Sequence, residues 1–229
     1  MIDMNEIILK LKNNKSLTIK EKFYYIKSNK VNLDVFKYLS DKFINLKIEI
    51  CGQYEGNVLD LMKQGLLEGW CWQTTETVSI FLNDDDYIER GNLKFTGYRD
   101  YYHSWICFNY NDEEYVFDPC LDMLCQKDLY TEIFETEVKG LVTAKEVQDD
   151  LIMRMNALEK EKEITEVDLV MRAFLEKYGS YLLDKEKDRF YVVGNDDVNS
   201  PMYRNNTGYK VNIEDGKVKK LVAHYYKSK

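Results

Sequence analysis

Histidine and proline are scarce: two of the former, at 103 and 224, and two of the latter, at 119 and 201, in 229 residues. So few imidazoles leave little choice for general acid–base work or a histidine-based metal centre. So few prolines remove the sharpest markers of helix ends and linkers. No apolar run is long enough to span a bilayer, and the opening residues lack the basic segment of a signal peptide. Basic excess is missing too: the formal net charge is −8. That balance, with no basic stripe, argues against nucleic acid or an anionic membrane as partner. There is no Cys-x-x-Cys pair, no Gly-rich phosphate loop, no Gly-x-Ser-x-Gly elbow and no dinucleotide fingerprint. Zinc ribbons, kinases, serine hydrolases and Rossmann enzymes are therefore poorly supported.

What is present is an ordinary globular composition, 45% hydrophobic and 31% charged, long enough for one sizeable core. Five cysteines, an odd count, predict free thiols and a reducing, cytoplasmic setting. Residues 4 to about 48 read as helices. Thr18 and Glu21 form a capping-box pattern, and a helix from about Asn32 is expected to carry Leu33, Phe36, Leu39 and Phe43 on one side. Asn57 is a candidate cap for the next. A helix is expected over 76–82, then strands near 93–97, 105–108 and 115–117. Residues 142–183 read as mostly helical. Strand character returns over 190–193, 208–213 and 217–226, the last two flanking Glu214-Asp215-Gly216 as a hairpin. The predicted fold class is α+β, with N-terminal helices over 1–56, a core over 57–135, and helices with a β-hairpin over 136–229 packed as one domain.

The middle of the chain holds the residues that carry chemistry. Cys71 lies in Gly69-Trp70-Cys71-Trp72-Gln73, just before a segment that can be helical. A helix N-terminus offers free N–H groups and partial positive charge, both of which favour a thiolate. His103 and Asp118 follow in order, so nucleophile, base and acid are all at hand. If residues 109–112 form a four-residue hairpin loop, His103 faces Asp118 directly and Trp105 faces Val116. Opposed side chains lie roughly 5 Å apart at Cβ, close enough for a carboxylate to bond an imidazole nitrogen. Asp118 would then orient the imidazole. Trp70, Trp72 and Trp105 are candidates for lining the substrate site.

His103-Ser104-Trp105 followed by Phe117-Asp118-Pro119, after Gly69-Trp70-Cys71, resembles the signatures of the transglutaminase-like superfamily, whose members share a papain-like Cys-His-Asp order. Gly97-Tyr98 resembles that pattern as well, and the likeness covers about residues 65–125. The resemblance implies Cys71 as nucleophile, His103 as general base and acid, and Asp118 as orienting carboxylate. It also implies a cysteine-bearing helix packed on a central antiparallel sheet that carries the other two. Activities in that superfamily include protein crosslinking, deamidation and peptide hydrolysis, and some members are inactive scaffolds. The Gly-Trp-Cys-x-Gln portion separately resembles arylamine N-acetyltransferases. However, Leu67-Glu68-Gly69 replaces their Arg-Gly-Gly, and Pro119-Cys120-Leu121-Asp122 replaces the segment after their aspartate. The upstream Trp or Gln that often completes the oxyanion hole has no clear counterpart; Gln64, or Gln53, is the candidate, beside Cys71's own N–H.

Cys107, Cys120 and Cys125 have no metal-site spacing, and the acidic runs at 84–86 and 195–199 do not match a calcium loop. Neither metal nor cofactor is expected. The expectation is a cysteine-dependent enzyme acting on a protein, peptide or small amide through a thioester. Hydrolysis is preferred because no motif marks an amine site. The alternatives are an inactive protein-binding module and an arylamine N-acetyltransferase-like acyltransferase.

Overall fold

The computed structural model describes residues 4–13, 15, 17–28, 33–94, 101–160, 181–185, 188–193 and 207–225. The chain opens with helices α1 (Met4–Lys12), α2 (Ile19–Ser28) and α3 (Leu33–Lys42). Strands β1 (Leu46–Ile50) and β2 (Tyr54–Gly56) follow, then α4 (Val58–Lys63) and α5 (Cys71–Ser79). Next come β3 (Tyr87–Leu93), β4 (Tyr101–Tyr110), β5 (Glu113–Asp118) and β6 (Met123–Gln126). Then come α6 (Lys127–Phe134), β7 (Glu137–Thr143) and α7 (Ala144–Lys160). Strands β8 (Tyr181–Lys185), β9 (Asp188–Val193), β10 (Thr207–Glu214) and β11 (Lys217–Tyr225) complete the described chain. The fold is α+β, with a central antiparallel sheet and a hairpin formed by β10 and β11.

The caps legible in the sequence are in place. Thr18 and Glu21 exchange a reciprocal capping box, and Asn57 accepts the Leu59 N–H to start α4. Asp86, in the acidic run at 84–86, is buried and accepts N–H bonds from Asn83 and Asn109. The helical reading of 4–48 overran: β1 begins at Leu46, because alternating Leu46, Ile48 and Ile50 point into the core, and β2 follows over Tyr54–Gly56. Leu33, expected on the buried side of α3, is 78% exposed, and Val35 takes that place with Leu39. Residues 181–183, read as the end of a helical segment, belong instead to strand β8. The expected strand residues 95–97 and the acidic run at 195–199 lie outside the described residues.

Two sheets form. One has six strands in the order β2-β1-β11-β10-β9-β8; the other has five, β6-β5-β4-β3-β7. In the first, β1 and β11 run parallel, bringing residues 46–50 beside 221–225. Side chains alternate across β4. Ile106 and Phe108 enter the larger core with Val78 of α5, whereas Trp105 and Cys107 enter a second core with Tyr130, Ile133 and Phe134 of α6. Helices α5 and α6 therefore cover opposite faces of the five-stranded sheet. The remainder of α5 leans on the six-stranded sheet: Thr77 accepts the Tyr225 hydroxyl at 3.0 Å. At its other side Thr75 and Ser104 share a 2.8 Å hydroxyl bond.

The β4–β5 hairpin has a tighter turn than the sequence predicted. Tyr110 pairs with Glu113 across a two-residue turn, Asn111-Asp112, with φ of 51° and 63°. Positive φ at both positions is the geometry whose twist suits a hairpin, and Asn and Asp tolerate it. Cys107, not Trp105, is thus opposite Val116. His103 lies beyond the last paired rung, and the expectation that it directly faces Asp118 is not met.

Candidate active site

Cys71 is the first residue of α5. Gly69 adopts φ +82°, which turns the chain sharply before the helix, and the N-cap Trp70 makes no side-chain cap bond. The sulfur-bearing residue therefore sits in a first turn whose N–H groups have no i−4 carbonyl. Its exposure is 6%. All around it α5 buries hydroxyls and one charge: Thr74, Thr75, Glu76, Thr77 and Ser79 are inaccessible or nearly so. Glu76 is held by Arg90 of β3 at 2.9 Å.

His103 and Asp118 meet despite the changed register. They project from the same face of the sheet as diagonal neighbours, a separation that long side chains bridge. His103 Nε2 lies 2.8 Å from Asp118 Oδ2, and both side chains are buried. Asp118 is saturated with donors. Its Oδ1 accepts the N–H groups of Cys120 and Leu121, each at 3.1 Å. Its Oδ2 also takes the Tyr130 hydroxyl at 2.8 Å. Pro119 and the turn after it wrap the backbone around the carboxylate.

Cys71 lies close enough to His103 to bear on its protonation. With Nε2 committed to Asp118, Nδ1 is the ring nitrogen left for the sulfur. Burial alone would push the imidazole's pKa down. The Asp118 charge and hydrogen bond, then the influence of nearby Cys71, outweigh it and raise the value to about 10. The site thus favours an imidazolium set between a carboxylate and a sulfur. Burial pushes up the pKa of Cys107, Cys120 and Cys125, the last to about 12; the Asp118 charge adds to this at Cys120 and Cys125.

The other expected site residues fare unequally. Trp105 is completely buried. Its Nε1 donates to Glu89 Oε2 at 2.8 Å, and its ring stacks on His103 at 6.4 Å. A side chain with no accessible surface supports the imidazole and does not line a substrate groove. Trp70 is nearly buried against Tyr225, with ring centroids 5.4 Å apart. Trp72 is only partly buried, with the Arg90 guanidinium 4.6 Å from its ring and Tyr102 alongside. Of the three tryptophans it keeps the most surface for a substrate. Gln64 is exposed, and its amide donates to the Asp60 carbonyl at the end of α4. It is spent as a helix cap, so the candidate oxyanion donors that stay at the sulfur are the first-turn N–H groups of α5.

Three participants went unread in the sequence: Tyr130 behind Asp118, Glu89 behind Trp105, and Arg90 behind Trp72. Leu129, Tyr130, Ile133 and Phe134 have the spacing of an amphipathic helix, which locates α6 but not the reach of one hydroxyl. Among the described residues no group of three or more His, Cys, Asp or Glu is placed to hold a metal ion, and no helix is long and apolar enough to cross a membrane. Compared with protein-family models, curated proteins and solved structures, the chain matches none of them.

Proposed function

We propose that this protein is a cysteine-dependent acyl-transfer enzyme, transglutaminase-like in its chemistry, acting on an amide or peptide bond. The observation that carries the reading is the buried 2.8 Å His103–Asp118 pair, with Cys71 at the start of α5 near enough to bear on the imidazole. The Cys71 thiolate attacks the carbonyl carbon, and negative charge gathers on the carbonyl oxygen. First-turn N–H groups of α5 are the donors nearest that oxygen, a contribution commonly worth about a hundred-fold or more in rate per donor. The imidazolium of His103 delivers its Nδ1 proton to the departing amine, leaving a thioester on Cys71. Water then attacks the thioester as Nδ1 takes its proton, releasing the acid and restoring the thiolate–imidazolium pair. An amine in place of water gives transfer. Asp118 stays ionised throughout and keeps the ring oriented.

A non-enzymatic binding module on the same fold is the second reading, and the 6% exposure of Cys71 favours it. Limiting iodoacetamide, applied to native protein over a pH series and mapped by mass spectrometry, separates the two. An active site labels Cys71 selectively below pH 7, and His103→Ala removes the advantage. Labelling of Cys71 no faster than of Cys51, Cys107, Cys120 or Cys125 would sink the enzymatic reading.

A further inference from the structure

Tyr130 has no place in the chemistry above, yet its hydroxyl is fully buried and aimed at the centre of it. The side chain rises from α6, the helix on the sheet face opposite α5. Its ring is clamped between Trp105 and Phe134, with centroids 5.7 Å and 4.6 Å away. That clamp fixes where the hydroxyl points. It donates to Asp118 Oδ2 at 2.8 Å, the oxygen that also takes His103 Nε2 at the same distance. A core helix needing only bulk at this position would carry Phe, as it does four residues later at Phe134.

Two donors on one carboxylate oxygen compete for the same electron density. The more strongly the phenol is held, the less basic the oxygen, and the weaker its pull on the imidazole N–H. The bond to Tyr130 also stabilises ionised Asp118, which keeps the imidazole proton on the ring and off the carboxylate. An imidazolium held too tightly is a poor acid towards a leaving amine.

We propose that Tyr130 is a positioning residue that, by sharing Asp118 Oδ2 with His103, limits how firmly Asp118 holds the imidazole proton. The inference rests on Cys71, His103 and Asp118 forming one site. Other titratable groups pack around the same point. Cys71 approaches from α5 and Cys120 from the turn after β5. Cys107 and Cys125 approach from β4 and β6, and Glu89 of β3 is reached through Trp105 and paired with Lys127 at 2.9 Å. Burial pushes up the pKa of all three of these other thiols, leaving Asp118 and Cys71 as the partners that bear on His103.

The test is a pH titration of the His103 ring by ¹³Cε1 NMR in the full chain. With only two histidines, a His224→Gln variant assigns both signals. Tyr130→Phe removes the competing donor and is expected to raise the His103 titration by about half a pH unit or more. Site-specific 3-fluorotyrosine at 130, a stronger donor with the ring retained, is expected to lower it, and carries the test if the phenylalanine variant does not fold. In an Asp118→Asn background both effects should vanish. A His103 midpoint left in place, or moved the other way, by either substitution overturns the role of Tyr130 while leaving the site intact. A wild-type His103 titrating near 6.5 overturns the site itself.

Discussion

Helices α5 and α6 cover opposite faces of one sheet and are held there by different forces. On α6 the buried residues are Tyr130, Ile133 and Phe134, an aromatic and aliphatic stripe that packs by area. On α5 they include four hydroxyl-bearing residues and Glu76, and the contacts are directional: Thr75 to Ser104, Thr77 to Tyr225, Glu76 to Arg90. Apolar packing tolerates small slides, whereas buried polar pairs allow few arrangements because each unmade bond is costly. The helix that begins with the sulfur is thus the one fixed by bonds with preferred geometry. The residue that α6 sends to the site, Tyr130, is the one polar group in its buried stripe.

Variants that break this contrast should have graded effects. Removing the proposed nucleophile is the extreme case. Cys71→Ala is expected to lower acyl transfer at least about a thousand-fold while the melting curve moves little, read by turnover of an amide substrate alongside calorimetry. Next comes the α5 ion pair. Arg90→Met removes the cation beside buried Glu76 and should cost about 3–5 kcal/mol in urea unfolding. The double variant Glu76→Leu/Arg90→Met should recover most of that loss, since neither charge is then stranded. If the single and double variants are equally unstable, directional bonding is not what fixes α5.

Gly91 lies opposite His103 on β3, beside a bulge against β7. A Cβ there would fall 2.1 Å from the Glu137 carbonyl oxygen. Gly91→Ala is expected to cost about 1–3 kcal/mol and, by shifting β3, to disturb the ladder that carries His103. A pH-dependent effect comes from His103 itself. Its folded pKa is raised to about 10, above the ordinary 6.5. The stability it contributes is fully present below about pH 6.5 and is lost as pH rises through about 10. Stability measured from pH 6 to 10 should decline less steeply in His103→Gln than in wild type. Gln64→Ala, a change at an exposed helix end, should leave labelling of Cys71 unaltered and cost within about 0.5 kcal/mol.

Much of this arrangement can be read from the residues alone, for reasons that differ by element. The start of α5 at Cys71 and the β10–β11 hairpin are local features, marked by Gly69 before a helix-forming run and by Asp215-Gly216 between strands. The capping residues Thr18 and Asn57 act within three positions of themselves and are equally plain. The register of β4 and β5 was missed because Asn111-Asp112 can sit in either a tight or a longer turn, and only the twist of the paired strands decides. The pairing of β1 with β11 was invisible for a different reason: its partners are separated by most of the chain, and nothing in Leu46–Ile50 marks a parallel neighbour. Burial of Trp105 and exposure of Gln64 are consequences of tertiary packing, which a motif does not encode.

That parallel pair has a consequence in time as well as in space. Strand β11 lies between β1 and β10, and Tyr225 at its end supplies a wall for α5 and a stacking partner for Trp70. During synthesis, residues 46–80 emerge long before residue 225, so the helix beginning at Cys71 must wait for a distant strand before one side of it is covered. Contacts of such wide separation slow folding and leave apolar surface open meanwhile. A nascent chain therefore carries Cys71 with an incomplete surround until the late strand has settled between its two neighbours.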